Sequence, residues 1–510
     1  MNPIHLQGWP NAAVRRYSPE SGVVLLLRSL LVLSSVLLVL RGCSEVPHAA
    51  VPAGARPVAV SAAAPGPAVL LRALLDTAGT QANHSDSLRG LSAGPAVRRF
   101  YGSQPVPVWL TAPDSLSAQA EATIQFLTRV RELGLAPAFY HGPHLQALHD
   151  SLRLTSSLHP GQLARAELLL TDAVLQLLTD LRRGRLHPYT VSPIERATGL
   201  LFRPEAVLRA ALATTDVPGA FRGVQPRHRE YQQLQRALAA WLQRPVPPDS
   251  AAQWQWRYET AALNLDRWRS EALPDSSYLL INLPAQQLYA VAADSLRARH
   301  RVIVGAPATP TPTLSSSIRY FTVAPEWRVP TSIATREMLP RLRHDASYLT
   351  RNNLRLYNQQ GQPLDPATVN WQQVSARHFP YFIRQAAGCD NALGNIVFRF
   401  DNPYSVYLHD TPTRELFWQA NRALSHGCVR LEKPFSLAYY LLQADGQHVQ
   451  LPPEDACARQ PVPRNYPLRH PVTLYIRYAT CAVENSRLHF YPDIYHRDEM
   501  LRHRLFAVGK

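Results

Sequence analysis

The spacing of hydrophobic residues changes from helical to strand-like near residue 272, and that change limits the fold more than any other feature of the sequence. Before it the period is helical. Ala120, Ile124, Leu127 and Arg131 recur every three to four residues with Gly134 as a stop, and Leu163, Leu170, Val174, Leu177 and Leu181 form a second stripe ended by Gly184 and Pro188. From Tyr278 the period is two. Residues 278–283, 288–291 and 301–304 read as short strands punctuated by Pro284, Asp294 and Gly305. A helical block followed by a strand block predicts an α+β multidomain chain, and 510 residues suffice for two to four domains with real cores.

Residues 327–390 interrupt the strand pattern with helical and polar sequence, including 336–343. Strands resume at 395–400 and 405–409. Pro434 opens a helix over 435–442. Residues 472–478 and 488–491, alternating around Glu484-Asn485-Ser486, read as a hairpin that completes the sheet.

At the N-terminus Arg15 and Arg16 precede an apolar run from Val23 to Leu40 whose uninterrupted part, 29–40, has signal-peptide length and is short for a membrane span. Residues 1–44 are therefore expected to direct export, as a signal peptide or as a membrane or lipid anchor; Leu40-Arg41-Gly42-Cys43 resembles a lipoprotein processing box, although Arg41 departs from it. Residues 45–69, rich in Ala and Pro, form a tether. The expected location is the periplasm or cell envelope, attached to the membrane through the N-terminal segment.

A formal charge of +16 raises the question of nucleic acid, yet Lys433 and Lys510 are the only lysines among 53 basic residues and the arginines are scattered. No nucleic-acid partner is expected; the charge suits an anionic envelope. Cys43, Cys389, Cys428, Cys457 and Cys481 show no CxxC or Cys/His metal spacing, so neither a metal nor another cofactor is expected. Cys457 and Cys481 are left as a pair that the fold could join, and Cys389 as a thiol near the cleft or an inert one.

The chemistry concentrates in Ser425-His426-Gly427-Cys428-Val429-Arg430 and in His409. A cysteine beside a glycine is most often just a small buried residue. A thiol used for acyl transfer needs a base, an oxyanion site and room for substrate. Alternation puts Tyr407 and His409 on one strand face and Val406 and Leu408 on the other, so His409 faces a site. Gly427 and Cys428 can offer backbone N–H groups to an oxyanion, and Arg430 a guanidinium to a carboxylate.

Together, Tyr407-Leu408-His409-Asp410-Thr411-Pro412 and Arg422-Ala423-Leu424-Ser425-His426-Gly427-Cys428-Val429-Arg430 resemble the active-site signature of the L,D-transpeptidases with YkuD-type catalytic domains. Residues 302–305, 327–330, 339–340, 347–349 and 391–394 extend the resemblance to the large YcbB-like branch. It implies a helical scaffold domain over 70–272, a mostly-β catalytic domain over 273–500 and a mobile cap at about 327–390. Between the helix at 231–241 and Trp254 there is no room for the peptidoglycan-binding module often inserted in that branch. Relatives often carry Pro-Gly-Pro where this chain has Ala387-Gly388-Cys389, which should loosen that loop.

The activity implied is crosslinking of peptidoglycan stem peptides through a Cys428 thioester with loss of terminal D-alanine. His409 is the expected base, oriented by the backbone or side chain of Asp410. Gly427 and Cys428, with Tyr407, are the expected oxyanion donors; Ser425 and His426 support the loop, and Arg430 holds a stem carboxylate. An L,D-carboxypeptidase, D-amino-acid exchange at the same site, or a non-catalytic envelope scaffold are the alternatives. Other cell-wall synthesis proteins are further candidate partners.

Overall fold

The computed structural model describes residues 65–77, 90–103, 105–112, 115–155, 159–186, 201–246, 248–273, 277–454, 457 and 462–507. The export segment, the Cys43 box and most of the tether lie outside the described residues. Among those described, no helix is long and apolar enough to cross a membrane.

The helical part is built around Pro160–Arg183, buried along most of its length from Leu163 to Leu181. Such a helix needs apolar residues on nearly every face, yet this one also buries three carboxylates. Each is satisfied by a neighbouring element. Glu167 accepts from the Val108 and Trp109 N–H groups and from the Tyr101 hydroxyl. Asp172 accepts from Ser92 and Ala93 N–H at the start of Gly94–Tyr101. Asp180 accepts from the Tyr140 hydroxyl, and burial pushes its carboxyl up to about 6. The leucine stripe thus supplies burial, and the acids fix which segments dock on it.

Helix Ala251–Arg269 carries the chain into the strand-rich part. Its Asn264 exchanges hydrogen bonds with Thr480, and Arg267 pairs with Asp498. Leu263, Leu265, Tyr278, Leu280, Val291 and Cys481 share one apolar cluster, so helices and sheet are welded there by common burial.

The main sheet has nine strands in the order Ala423–Ser425, Ser295–Gly305, Val429–Leu431, Leu408–His409, Ile396–Phe400, Leu314–Val323, Arg464–Arg477, Ser277–Asn282 and Gln287–Ala292; the last also pairs with Ser295–Gly305, closing the sheet on itself. Helix Pro434–Ala444 helps to fill its core. The α+β architecture expected from the two periods is the one observed.

Strands Leu314–Val323 and Ile396–Phe400 are antiparallel neighbours, and the chain between them forms a separate subdomain. Its four-stranded sheet, ordered Trp327–Arg328, Phe382–Gln385, Leu354–Tyr357 and Pro363–Leu364, covers its own core of Met338, Leu342, Leu349, Leu356, Trp371 and Ile383. An insertion with a private core leaves the host sheet's register undisturbed.

Three local expectations need correction. Residues 472–478 do not pair with 488–491. Residues 472–477 belong to Arg464–Arg477, held between two strands of the main sheet, while Cys481–Glu484 and Arg487–Phe490 form a separate hairpin against the helices. Asn485 and Ser486 both adopt positive φ, the turn geometry that matches strand twist in a two-residue hairpin. Next, only Leu408–His409 of 405–409 is strand, because Ser405 takes φ 57° in the turn before it. Last, Cys457 is bonded to Cys389, with Cα atoms 4.9 Å apart, while Cys481 is a free thiol buried in the helix–sheet core.

The Cys389–Cys457 bridge also reverses the expectation that losing two prolines loosens residues 387–389. This loop is tied covalently to the segment after Leu451, and the buried Asn391 adds bonds to the Pro325 and Ala386 carbonyls. The bridge closes a 68-residue separation. Replacing both cysteines by serine is expected to lower stability by about 2–4 kcal/mol, chiefly by freeing the unfolded chain. Thermal unfolding of the double variant beside the oxidised parent would reveal this; equal midpoints would mean that the bridge contributes nothing.

Candidate active site

Residues 425–428 leave one short strand, Ala423–Ser425, and enter another, Val429–Leu431, and the sharp bend between them is fixed from inside and outside. Inside, Ser425 Oγ donates to the Cys428 carbonyl and accepts from the Gly427 N–H. Gly427 has φ 118°, a conformation that side-chain-bearing residues rarely adopt. Outside, Thr311 Oγ1 donates to the Gly427 carbonyl at 2.8 Å and accepts from the Gly305 N–H. Thr309 Oγ1 and the Ala306 N–H both donate to the Ser425 carbonyl. Tyr495, far along the chain, donates to the Gly305 carbonyl. The thiol therefore stands on a rigid bend. Sequence reasoning missed Thr309, Thr311 and Tyr495; the run Gly305-Ala306-Pro307-Ala308-Thr309-Pro310-Thr311 shows a turn, but nothing in it marks what the turn would cradle.

Parallel pairing of Leu408 with Val429 and of His409 with Arg430 sets the site. Val406, Leu408, Val429 and Leu431 point into the core. Tyr407, His409, Cys428 and Arg430 consequently share the opposite face. Cys428 is half-buried beside Tyr407, whose backbone and side chain both favour the thiolate against the effect of burial. The Trp327 side chain, from the inserted subdomain, lies near enough to Tyr407 to work against the effect of burial on its phenol. His409 stands one residue pair further along, its ring centroid 5.6 Å from that of Tyr407.

The buried His409 ring gives Nδ1–H to the Asp410 carbonyl, an oxygen that can only accept. The side chain of Asp410 is engaged elsewhere, with the Asn395 N–H and Arg414. Of the two ways in which Asp410 could orient the imidazole, the structure displays the backbone one. Burial, then the positive charge of Arg430, push His409 down to about 3, outweighing the Asp410 and Leu393 carbonyls that favour its charged form. Burial also pushes the Cys428 thiol up, against the opposing effects of Tyr407 and Arg430. Both shifts favour the neutral forms of the two groups.

Arg430 is mostly buried, touches Thr413 at 3.5 Å and leaves its Nε without a partner among the described residues. A guanidinium so placed is free for an anion. His426 is half-exposed and pairs with Glu337 of the inserted subdomain at 2.9 Å. One expectation fails here. The Gly427 N–H is spent on Ser425 Oγ inside the bend, which takes it out of the expected oxyanion pair.

Two stretches of the chain resemble known protein families. Residues 95–238 match the scaffold domain family, and residues 276–451 match the L,D-transpeptidase catalytic domain family. A Haemophilus influenzae protein provisionally named L,D-transpeptidase is 34% identical over 243 residues, 48% of this chain and 49% of its own length. The chain thus spans about half the length of that curated relative. The solved structure of the Ldtfm-avibactam carbamoyl enzyme aligns over 40% of this chain and 49% of its own at 12% identity, with a TM-score of 0.20, a likeness too low to carry an argument. Over residues 276–451, about a third of the chain, the similarity is thus to the YkuD family of L,D-transpeptidase catalytic domains.

Proposed function

We propose that this protein is a peptidoglycan L,D-transpeptidase that crosslinks stem peptides through a thioester on Cys428 with release of terminal D-alanine. The observation that carries the reading is the shared sheet face on which the register sets Cys428, His409, Tyr407 and Arg430. In the first step the sulfur attacks the carbonyl of the third stem residue, its proton passing to His409 and then to the departing D-alanine amine. The Cys428 N–H and the Tyr407 hydroxyl stabilise the oxyanion; Tyr407 is suited to this because burial, and then the nearby sulfur, keep its phenol protonated. Arg430 receives a stem carboxylate, which satisfies its orphaned Nε. In the second step an amine of a neighbouring stem takes the acyl group. Asp410 orients the base through its carbonyl, and Ser425 and Gly427 hold the bend.

The inserted subdomain sits over this bend, with Trp327 on Tyr407 and Glu337 on His426. That position suits a cap which shields the thioester from water and so favours an amine over hydrolysis. We assign the protein to the cell envelope, attached through its N-terminal segment by an anchor or a lipidated Cys43, where the stems are.

The test is to incubate the purified protein with disaccharide-tetrapeptides and identify products by mass. Crosslinked dimers with loss of D-alanine are expected. Tripeptides alone would make it an L,D-carboxypeptidase, and unchanged substrate would overturn an enzymatic reading.

A further inference from the structure

On the far side of Tyr407 from the thiol, a cleft of about 350 Å³ opens under the turn that follows Ile396–Phe400, with Arg319, Tyr320, Arg399, Asp401, Asn402 and Tyr407 in its walls. Its rim is built rather than incidental. The Asn402 side chain donates to the Phe400 and Val406 carbonyls and accepts from the Tyr404 and Val406 N–H groups, so four bonds fix the turn. Arg399 lies with its guanidinium 5.7 Å from the centre of the Tyr407 ring, and no carboxylate pairs with it among the described residues.

The sheet register relates this cleft to the thiol. Pairing of Leu408 with Val429 sets Tyr407 beside Cys428, and pairing of Phe398 with Leu408 sets Arg399 beside Tyr407. Cys428, Tyr407 and Arg399 form one row across three strands, about 10 Å from end to end at the usual strand spacing. Arg430 lies instead along the thiol's own strand. Two guanidinia thus approach the sulfur from different directions, one along its strand and one across the sheet. Acyl transfer to an amine has two substrates, and each must reach the sulfur by its own path.

We propose that the Arg399 cleft is the acceptor site, taking an amine whose own carboxylate docks on Arg399, with Arg319 as a second cation in its wall. The assignment rests on the transpeptidase reading above and adds where the second substrate sits. A carboxylate on Arg399 directs the attached amine back toward Tyr407, His409 and the acyl group on Cys428. The amine nitrogen forms the new C–N bond, the C–S bond breaks, and the proton lost by the amine passes through His409 to the sulfur. Tyr407 lies between the two sites and touches both.

The acyl-enzyme formed from a tetrapeptide stem is offered D-methionine or D-methioninamide, and exchange products are measured by mass. The parent protein should prefer the carboxylate-bearing amine. Arg399→Gln should cut that preference by about tenfold or more, the worth of a charged hydrogen bond, mainly through KM for D-methionine. Arg399→Lys should restore part of it. A preference unchanged by Arg399→Gln, or an equal loss with both amines, overturns the proposal. Titration of D-methionine into the Cys428→Ala protein, followed by NMR shifts, reads the cleft without chemistry. Binding weakened about tenfold by Arg399→Gln supports the site even where the transpeptidase reading has failed. Absence of binding by the Cys428→Ala protein at tens of millimolar, a concentration of about the weakest useful affinity, overturns the site.

Discussion

Cys428→Ala is expected to remove crosslinking activity by at least about 10⁴-fold, the scale on which loss of an essential nucleophile is felt, while leaving thermal unfolding close to that of the parent. The side chain lies outside the apolar clusters, and the bend around it is held by Ser425, Thr309 and Thr311 rather than by sulfur. The structure also narrows the choice of nucleophile. Cys389 and Cys457 are spent on each other, and Cys481 is fully buried in the helix–sheet core, where burial holds its thiol protonated. Ser425 Oγ is committed to the Cys428 carbonyl. Among the described cysteines a penem-type β-lactam should therefore add only at Cys428, and the alanine variant should take up none at those positions. Intact mass followed by peptide mapping decides the matter. Adduct that persists on the Cys428→Ala protein, or a variant that still forms crosslinks, would show that the nucleophile has been misplaced.

How much of this was legible depended on whether the relevant forces were local. The leucine stripe from Leu163 to Leu181 announces a buried helix because burial has a 3.6-residue signature. Alternation at Val406, Tyr407, Leu408 and His409 announces which side chains face the core even though only two of those residues are strand. Glu167, Asp172 and Asp180 are silent in the sequence, since a carboxylate in a helix reads as solvated until distant partners such as Ser92, Tyr101 and Tyr140, 40 to 80 residues away, are known. The same holds for the cysteines. Spacing cannot tell that Cys457 meets Cys389 across 68 positions, because the contact depends on how the inserted subdomain returns to the sheet. The hairpin was misread for a competitive reason: residues 472–478 alternate well enough to pair with any strand, and two strands of the main sheet took them first. At the site, the residue types of the two motifs were readable, but hydrogen-bond allocation was not. That Ser425 would claim the Gly427 N–H, and that Glu337 would claim His426, are facts of three-dimensional proximity alone.

His409→Ala is expected to slow acylation of Cys428 by about 10²–10⁴-fold, the usual contribution of a general base, and to change the shape of the pH profile. In the parent burial favours the neutral form of both partners, holding His409 down to about 3 and holding the thiol up. Acidification from pH 8 to pH 5 then leaves the base in its working form, so the acylation rate should vary little across that window. Without the imidazole only the spontaneously formed thiolate can react. Its fraction rises about tenfold per pH unit below the thiol's pKa, and the variant's rate should climb with that slope. Stability gives an independent check of the same burial. Because the folded-state value is depressed, the unfolded chain binds a proton that the folded chain refuses, and this group's effect is to lose stability as pH falls from about 6.5 toward 3. His409→Ala should flatten that part of the stability profile. His426→Ala, which breaks a pairing with Glu337 on a half-exposed surface, should cost acylation less and leave the slope with pH unchanged. Should the alanine at 426 produce the steep pH dependence and the alanine at 409 not, the base is His426 and the argument from strand face is wrong.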